Sequence, residues 1–132
     1  MKPVPFKLSD KPIHLGLGAR AEVESPITGI EWYESYIQRR ESDGIEGRLV
    51  AEHSFDADWD SWEMHPEGCE VVYCISGRME LIQELDGDMV TIELGPGEYA
   101  INEPGVWHTA NVREPGTVLF ITAGLGTQHR RR

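Results

Sequence analysis

After residue 47 the chain divides into short runs rich in apolar and β-favouring residues, bounded by turns that contain glycine, proline and aspartate. Runs of this kind are typical of β-strands, and Asp86-Gly87-Asp88 is typical of a hairpin turn. Many short strands joined at regular intervals indicate a sandwich or a barrel. The predicted strands are Arg48 to Phe55, Ser61 to His65, Cys69 to Ile75, Arg78 to Leu85, Met89 to Leu94, Tyr99 to Asn102, Trp107 to Val112 and Thr117 to Thr122.

Helical spacing of apolar residues occurs between Thr28 and Gly44, and it predicts one N-terminal helix near residues 29–43. Thr28 and Glu31 match a capping box, in which each side chain satisfies a backbone donor of the first turn. Gly44 is a suitable C-terminal stop. We interpret the apolar stripe as a packing surface; it consists of Ile30, Trp32, Tyr33, Tyr36 and Ile37.

The two ends of the chain have weaker patterns. Residues 1–12 contain several prolines and are expected to be extended, and Ile13 to Leu17 alternates weakly, as an edge strand does. An edge strand can pair with a neighbour's sheet, so we expect a homodimer.

Gly124 to Arg132 is broken by glycine and ends in three arginines, which predicts a solvated C-terminal tail. The predicted organisation is an arm and helix over 1–47, a barrel over 48–123 and a tail over 124–132, within one domain.

Composition narrows the class of protein. A chain of 132 residues fits one domain with one core. The net charge of −11 disfavours binding to nucleic acid or to an anionic membrane surface.

Cys69 and Cys74 are five residues apart, so a strand places them on opposite faces and no disulfide is expected. The N-terminus lacks the apolar core of a signal peptide, and no apolar run reaches membrane-spanning length, so we expect a reduced, cytoplasmic protein.

Polar residues with metal-ligand chemistry collect at the ends of predicted strands. Glu63 and His65 share one face of a strand, and the turn at residues 66–68 brings Glu70 beside them. His108 begins another strand directly after a Pro-Gly turn. Imidazole nitrogen and carboxylate oxygen together suit Fe(II), Mn(II), Ni(II) or Zn(II). A lone histidine near a turn is usually structural, but two histidines and two glutamates at such positions indicate a site.

These segments resemble the two signature motifs of the cupin superfamily, in particular its small single-domain bacterial members. The first motif is matched by Glu63-Met64-His65, four residues, Glu70, six residues and Gly77. The second is matched by Gly97, five residues, Glu103-Pro104-Gly105, two residues and His108, with Asn111 one place early. The resemblance covers roughly residues 48–123.

The resemblance implies an all-β fold, a small antiparallel β-barrel of jelly-roll type, with a divalent metal ion (Fe, Mn, Zn or Ni) held inside. The metal ligands that it implies are Glu63, His65, Glu70 and His108. Glu63 stands where the family usually has a histidine. Two carboxylates offset the charge of a divalent ion, which favours Fe(II) and Mn(II) over Cu(II).

The resemblance leaves three functions open. The first is a metal-dependent enzyme of dioxygenase, isomerase or lyase type acting on a small organic molecule, with Glu63 as a ligand or as the catalytic base. The second is a non-catalytic cupin that binds or senses a small ligand without a metal. The third is metal-free proton transfer by His65 and Glu70. The predicted interior is small and partly apolar, and its lining residues are Val72, Cys74, Met79, Gln83 and Ala110.

Overall fold

Two antiparallel sheets face each other in the computed structural model, which describes residues 3–132. Within those residues one sheet has the strand order β2-β1-β3-β10-β5-β8 and the other has the order β11-β4-β9-β6-β7. This is the predicted small jelly-roll barrel. The elements in chain order are β1 Ile13–Gly16, β2 Arg20–Val23, α1 Ile30–Arg39, a 3₁₀ helix Glu41–Glu46, β3 Arg48–Phe55, β4 Ser61–Met64, β5 Glu70–Cys74, β6 Arg78–Leu85, β7 Asp88–Leu94, β8 Tyr99–Asn102, β9 His108–Glu114, β10 Gly116–Thr122 and β11 Gln128–Arg131.

The turn between β6 and β7 shows how the sequence sets the strand register. Leu85 pairs with Asp88, so the loop consists of Asp86 and Gly87 alone. Both have positive φ, 51° and 84°. A two-residue hairpin of this kind needs positive φ at both positions, which Asp-Gly adopts readily. The predicted hairpin is therefore confirmed, and three predicted strands (β3, β6 and β8) have the expected bounds.

The core lies between the inward faces of the two sheets. Leu81 is fully buried and belongs to the same core cluster as Phe120. Phe55 and Trp59 are partly buried and pack against this cluster. Alternation along the strands predicts this interior correctly, because the five residues expected to line it are all buried. They are Val72, Cys74, Met79, Gln83 and Ala110. Cys69 is exposed while Cys74 is buried, and both are free thiols, as their odd spacing predicts.

The N-terminal helix is shorter than predicted, and its capping box does not form. Helix α1 begins after Gly29, whose φ of 151° is accessible to glycine, and no side chain in the described part of the chain caps it. Thr28 is therefore one residue too early to serve as the cap. Trp32 and Tyr36 are buried, but Ile30 is 73% exposed, so only part of the apolar stripe packs. Neither helix in residues 3–132 has the length and apolar character required to cross a membrane.

Strand β1 is not at an edge of its sheet. It pairs with β2 on one side and with β3 on the other, so its backbone groups are used within the chain. The expectation of an exposed edge at Ile13 to Leu17 is therefore wrong, since β2 takes the edge position. Strand β2 has only four residues, and no strand was predicted there. The homodimer stays a prediction, without the edge strand that suggested it.

A buried polar cluster joins the N-terminal arm to the 3₁₀ helix. His14 is 1% exposed, and its ring lies 2.7 Å from Asp43 Oδ2 and 2.6 Å from the Tyr36 hydroxyl. Arg20 donates two hydrogen bonds to the Asp43 carboxylate, and the Leu17 backbone N–H donates a third. Hydrogen bonds from Arg20 and then from His14 lower the pKa of Asp43. His14 therefore has a structural role.

We expect the stability contributed by Asp43 to disappear at low pH. Because the folded-state pKa of Asp43 lies below its unfolded value of about 3.9, the contribution is complete above that pH and is lost as the pH falls through the folded pKa. Thermal melts of the parent and Asp43→Asn between pH 7 and pH 2 test this. The parent should be clearly more stable at neutral pH, and the gap should narrow below about pH 4. A gap that does not depend on pH would contradict the ion-pair interpretation.

The last residues of the chain form a strand, although their side chains are exposed to solvent. Gln128–Arg131 form β11, which pairs with β4 along its whole length. The Arg130 guanidinium lies over the rings of Trp62 and Trp107, 5.2 and 4.5 Å from their centroids, and pairs with Glu84. The expectation of a tail over 124–132 is wrong for this reason. A strand of Gln, His and two Arg carries no apolar signal, and its stability comes from pairing and from aromatic contacts that the sequence does not reveal.

Candidate metal centre

The four predicted ligands come together between the two sheets, near one end of the barrel. Strand pairing places Glu63 on β4 directly opposite His108 on β9, and Glu70 opens β5 in the facing sheet. His65 follows β4 and reaches the same volume. The turn after His65 returns the chain to the facing sheet, and this is why residues five apart in sequence meet across the barrel.

The distances between the donor atoms are short. Glu70 Oε2 lies 3.2 Å from His65 Nε2, and Glu70 Oε1 lies 3.2 Å from His108 Nε2. Glu63 Oε2 is 3.9 Å from both of these nitrogens. Ligand atoms of Glu63, His65 and His108 all lie within 4.8 Å of one another. The four side chains therefore form one compact nitrogen and oxygen donor set.

Burial divides this set into an inner and an outer part. The His108 side chain is 0% exposed, and those of His65 and Glu70 are 5% and 4% exposed. The Glu63 side chain is 31% exposed. Glu63 is thus the member of the set that meets solvent, at the position where the family motif usually has a histidine.

The partners of the two Nδ1 atoms fix which ring nitrogen faces the site. His65 Nδ1 lies 2.8 Å from the Thr127 hydroxyl, which itself donates to the Gly124 carbonyl at 2.8 Å. His108 Nδ1 lies 3.2 Å from the Val106 carbonyl. Acceptors at both Nδ1 positions favour the tautomer with the proton on Nδ1. The Nε2 lone pairs of both rings then point into the site.

Glu70 is held by partners on each oxygen. Its Oε1 accepts a hydrogen bond from Asn102 Nδ2 at 3.1 Å, and its Oε2 accepts one from the Thr122 hydroxyl at 2.6 Å. Gln83 in turn donates to Asn102 Oδ1 at 2.8 Å. Burial acts to raise the pKa of Glu70, but its contacts with His108 and then His65 outweigh burial and lower the pKa. A carboxylate at this position is therefore ionised at neutral pH.

The two Nε2 atoms fit a cation. Both are buried, and neither has a hydrogen-bond partner among residues 3–132. Although a Glu70 oxygen is 3.2 Å from each, neither contact meets the geometry of a hydrogen bond. Burial acts to lower the pKa of His108, but Glu70 outweighs it and raises the pKa, so the site attracts positive charge. Two lone pairs beside an ionised carboxylate require a proton or a metal ion to offset their repulsion.

The spacing of the donors also fits a single ion. Two donor atoms about 2.1 Å from one ion are about 3.0 Å apart at a right angle and about 3.4 Å apart at the tetrahedral angle. Each 3.2 Å separation between a Glu70 oxygen and a histidine nitrogen lies in this interval, with Oε2 paired to His65 and Oε1 to His108. Glu63, at 3.9 Å, is just outside it, and its partly exposed side chain can turn toward the ion.

The structure adds residues to the site that sequence reasoning missed. Asn102 and Thr122 flank Glu70 on neighbouring strands, and alternation along β8 and β10 could have placed both of them facing inward. His129 and Thr127 come from the C-terminal segment, where no pattern pointed to the site. His129 Nε2 lies 3.3 Å from Glu63 Oε1.

Comparison with protein families identifies the class of this protein. The family model described as "Cupin domain" matches residues 56–125, which is more than half of the chain. The chain belongs to the cupin family, and the resemblance drawn from its two motifs is confirmed. No curated protein matches its sequence.

Solved structures with this fold are similar to the chain at low sequence identity. A cupin-2 domain protein from Shewanella frigidimarina is 20% identical, with a TM-score of 0.49, over 57% of this chain and 69% of that one. A mutant of Bacillus subtilis oxalate decarboxylase is 17% identical, with a TM-score of 0.54, over 72% of this chain and 26% of that one. The coconut allergen cocosin is 15% identical, with a TM-score of 0.54, over 64% of this chain and 23% of that one. The chain thus spans about a quarter of the latter two, and these similarities establish the fold.

Proposed function

We propose that this protein is a mononuclear metal-binding cupin, with His65, His108 and Glu70 as inner ligands and Glu63 as the fourth. The observation that supports this most strongly is the pair of buried Nε2 atoms that have no hydrogen-bond partner in the described part of the chain and lie 3.2 Å from an ionised carboxylate. A purely structural histidine normally has both ring nitrogens satisfied, as His14 has here.

The donor set indicates which ions fit. Two neutral imidazoles and two carboxylates offset the charge of a divalent cation, and nitrogen with oxygen suits Fe(II), Mn(II), Ni(II) or Zn(II). The cysteine thiols do not take part: Cys74 is directed to the backbone carbonyls of Ser76 and Gly77, and Cys69 to Glu103.

We further propose that the site acts on a small organic molecule, in dioxygenase, isomerase or lyase chemistry. A bound divalent ion supplies Lewis-acid polarisation of a substrate oxygen or redox chemistry. The chain itself supplies Glu63, which is partly exposed beside the buried nitrogens and is the group placed to exchange a proton with a bound molecule. Asn102 and Thr122 keep Glu70 fixed while this happens.

Removal of the metal is expected to destabilise the protein. Protein purified without chelators should carry about one divalent ion per chain by elemental analysis, and a chelator should lower its Tm. A ligand present at about 100 times its Kd contributes about 2.7 kcal/mol to the free energy of unfolding, and removing it loses that amount. The Tm should recover when the ion is restored.

Two results would favour the other candidate functions. A protein free of metal, with a Tm that chelators leave unchanged, would contradict the metal site and favour a cupin that binds a small ligand directly. Turnover of a substrate that survives chelation would favour metal-free proton transfer by His65 and Glu70.

A further inference from the structure

The C-terminal segment, residues 124–132, contacts the candidate metal centre from outside the barrel's main strands. The cupin match ends at residue 125, so Thr127 and the whole of β11 lie beyond it. Two side chains of this segment nevertheless contact two of the four candidate ligands. We name residues 124–132 the C-terminal clasp.

The first contact sets the orientation of an imidazole. Thr127 Oγ1 lies 2.8 Å from His65 Nδ1 and 2.8 Å from the Gly124 carbonyl. The hydroxyl has one proton, and donating it to the carbonyl leaves an oxygen lone pair to accept from the Nδ1–H. This arrangement satisfies all three groups and leaves Nε2 of His65 as a lone-pair donor facing Glu70. The tautomer of His65 thus depends on Thr127.

The second contact involves the partly exposed carboxylate. His129 is directly opposite Glu63 in the β4–β11 pair, and its Nε2 is 3.3 Å from Glu63 Oε1. The other oxygen of Glu63 faces the nitrogens of His65 and His108. His129 therefore contacts the oxygen that faces away from the site and fixes the carboxylate's orientation.

Contacts on the opposite face of β11 hold the clasp in place. Arg130 lies over the rings of Trp62 and Trp107 and pairs with Glu84. The Arg132 guanidinium donates to the backbone carbonyls of Trp59 and Ala110, and to Asn111, across the neighbouring part of the sheet. These contacts keep Thr127 and His129 at the distances that the site requires.

We propose that the C-terminal clasp positions the metal ligands of this protein, with Thr127 setting His65 and His129 setting Glu63. This inference rests on the proposed metal site. Thr127 and His129 are positioning residues, since they act through His65 and Glu63. Groups that orient metal ligands commonly alter affinity by about 10- to 100-fold when they are removed.

A pair of substitutions at residue 127 tests the proposal by titration of Zn(II) or Mn(II) into metal-free protein. Thr127→Val keeps the shape of the side chain and removes the hydroxyl, so it should weaken binding by about 10- to 100-fold. Thr127→Ser keeps the hydroxyl and should bind within a few-fold of the parent. Gln128→Ala, at the exposed residue that follows Thr127 and begins β11, is the matched control and should leave affinity unchanged. His129→Ala should weaken binding less than Thr127→Val, because His129 is 55% exposed.

The outcomes distinguish a failure of the clasp proposal from a failure of the proposed metal site. Parent protein that binds no ion would overturn the proposed function. Parent protein that binds the ion while Thr127→Val binds it equally well would overturn the role of the clasp. Nitrogen NMR of the metal-free parent gives an independent check should Thr127→Val fold poorly. His65 with its proton on Nδ1 supports the proposal, and a proton on Nε2 overturns it.

Discussion

His108→Ala is expected to abolish specific metal binding by this protein, with affinity reduced by more than about 100-fold. His108 is fully buried, and its Nε2 is one of the two unpartnered nitrogens at the centre of the donor set. Loss of a direct ligand should exceed the 10- to 100-fold effect typical of groups that only orient ligands. Calorimetric titration of the metal-free variant with a divalent ion measures this directly.

The control for His108→Ala is His53→Ala. His53 is a barrel histidine too, half-buried where His108 is fully buried, but it lies outside the donor set. It contacts the Phe55 and Phe120 rings and, at 3.5 Å, the Tyr33 hydroxyl. His53→Ala should keep the parent's affinity. A chelator should lower the Tm of the parent and of His53→Ala while leaving that of His108→Ala unchanged. Equal affinity in parent and His108→Ala would show that the ion binds elsewhere.

Gly77→Ala is expected to cause a large loss of stability. Gly77 ends the first sequence motif, and its φ of 78° lies in the left-handed region. A Cβ there would lie 2.6 Å from the Pro115 carbonyl oxygen and 2.7 Å from that of Glu114. The conformation alone costs a side chain about 1–2 kcal/mol, and the collision with backbone adds to that. Thermal or urea unfolding of the variant measures the loss.

Gly87→Ala separates the cost of the left-handed backbone conformation from the cost of the collision with backbone atoms. Gly87 has a similar φ of 84°, but a Cβ there meets no atom within 4 Å in the described structure. It should therefore lose only the conformational cost, which corresponds to a few degrees in Tm. Gly77→Ala should lose clearly more. Equal losses would show that the backbone around Pro115 moves aside to admit the added Cβ. Close packing of residue 77 against the backbone of Glu114 and Pro115 would then not explain the glycine in the motif.

Much of the barrel was predictable because its strands carry local signals. Asp86-Gly87 has the φ preferences of its turn, and the alternation in Glu70–Cys74 correctly separated the buried face from the partly buried one. The four site residues were also brought together as the motifs predicted, since each lies at a strand end beside a turn. The spacing of polar residues around turns was enough to place His65 and Glu70 in one volume.

The features that were missed depend on contacts between distant parts of the chain. Strand β11 has no apolar residue, and it is held by β4 and by the tryptophans beneath Arg130. Strand β2 is only four residues long, and it pairs with β1. Thr28 matches the capping motif in the sequence, but helix α1 begins one residue later than that motif requires, with Gly29 at the cap position. In each of these cases tertiary structure outweighed a local pattern.

Glu63 is the residue in which sequence and structure together say most about function. It replaces the histidine usual in the family motif, and it is the exposed member of an otherwise buried set. One of its oxygens faces the imidazole nitrogens, and the other faces His129. We propose that this arrangement lets Glu63 act as a fourth ligand or as a base beside bound substrate, with His129 of the C-terminal clasp orienting its carboxylate.

Anomalous diffraction from crystals loaded with Zn(II) or Mn(II) tests the metal site most directly. We expect one strong peak per chain, about 2.0–2.3 Å from His65 Nε2, His108 Nε2 and an oxygen of Glu70. Glu63 should be turned toward the same peak. A map without a peak between these side chains, or with its only peaks at surface carboxylates, would contradict the account.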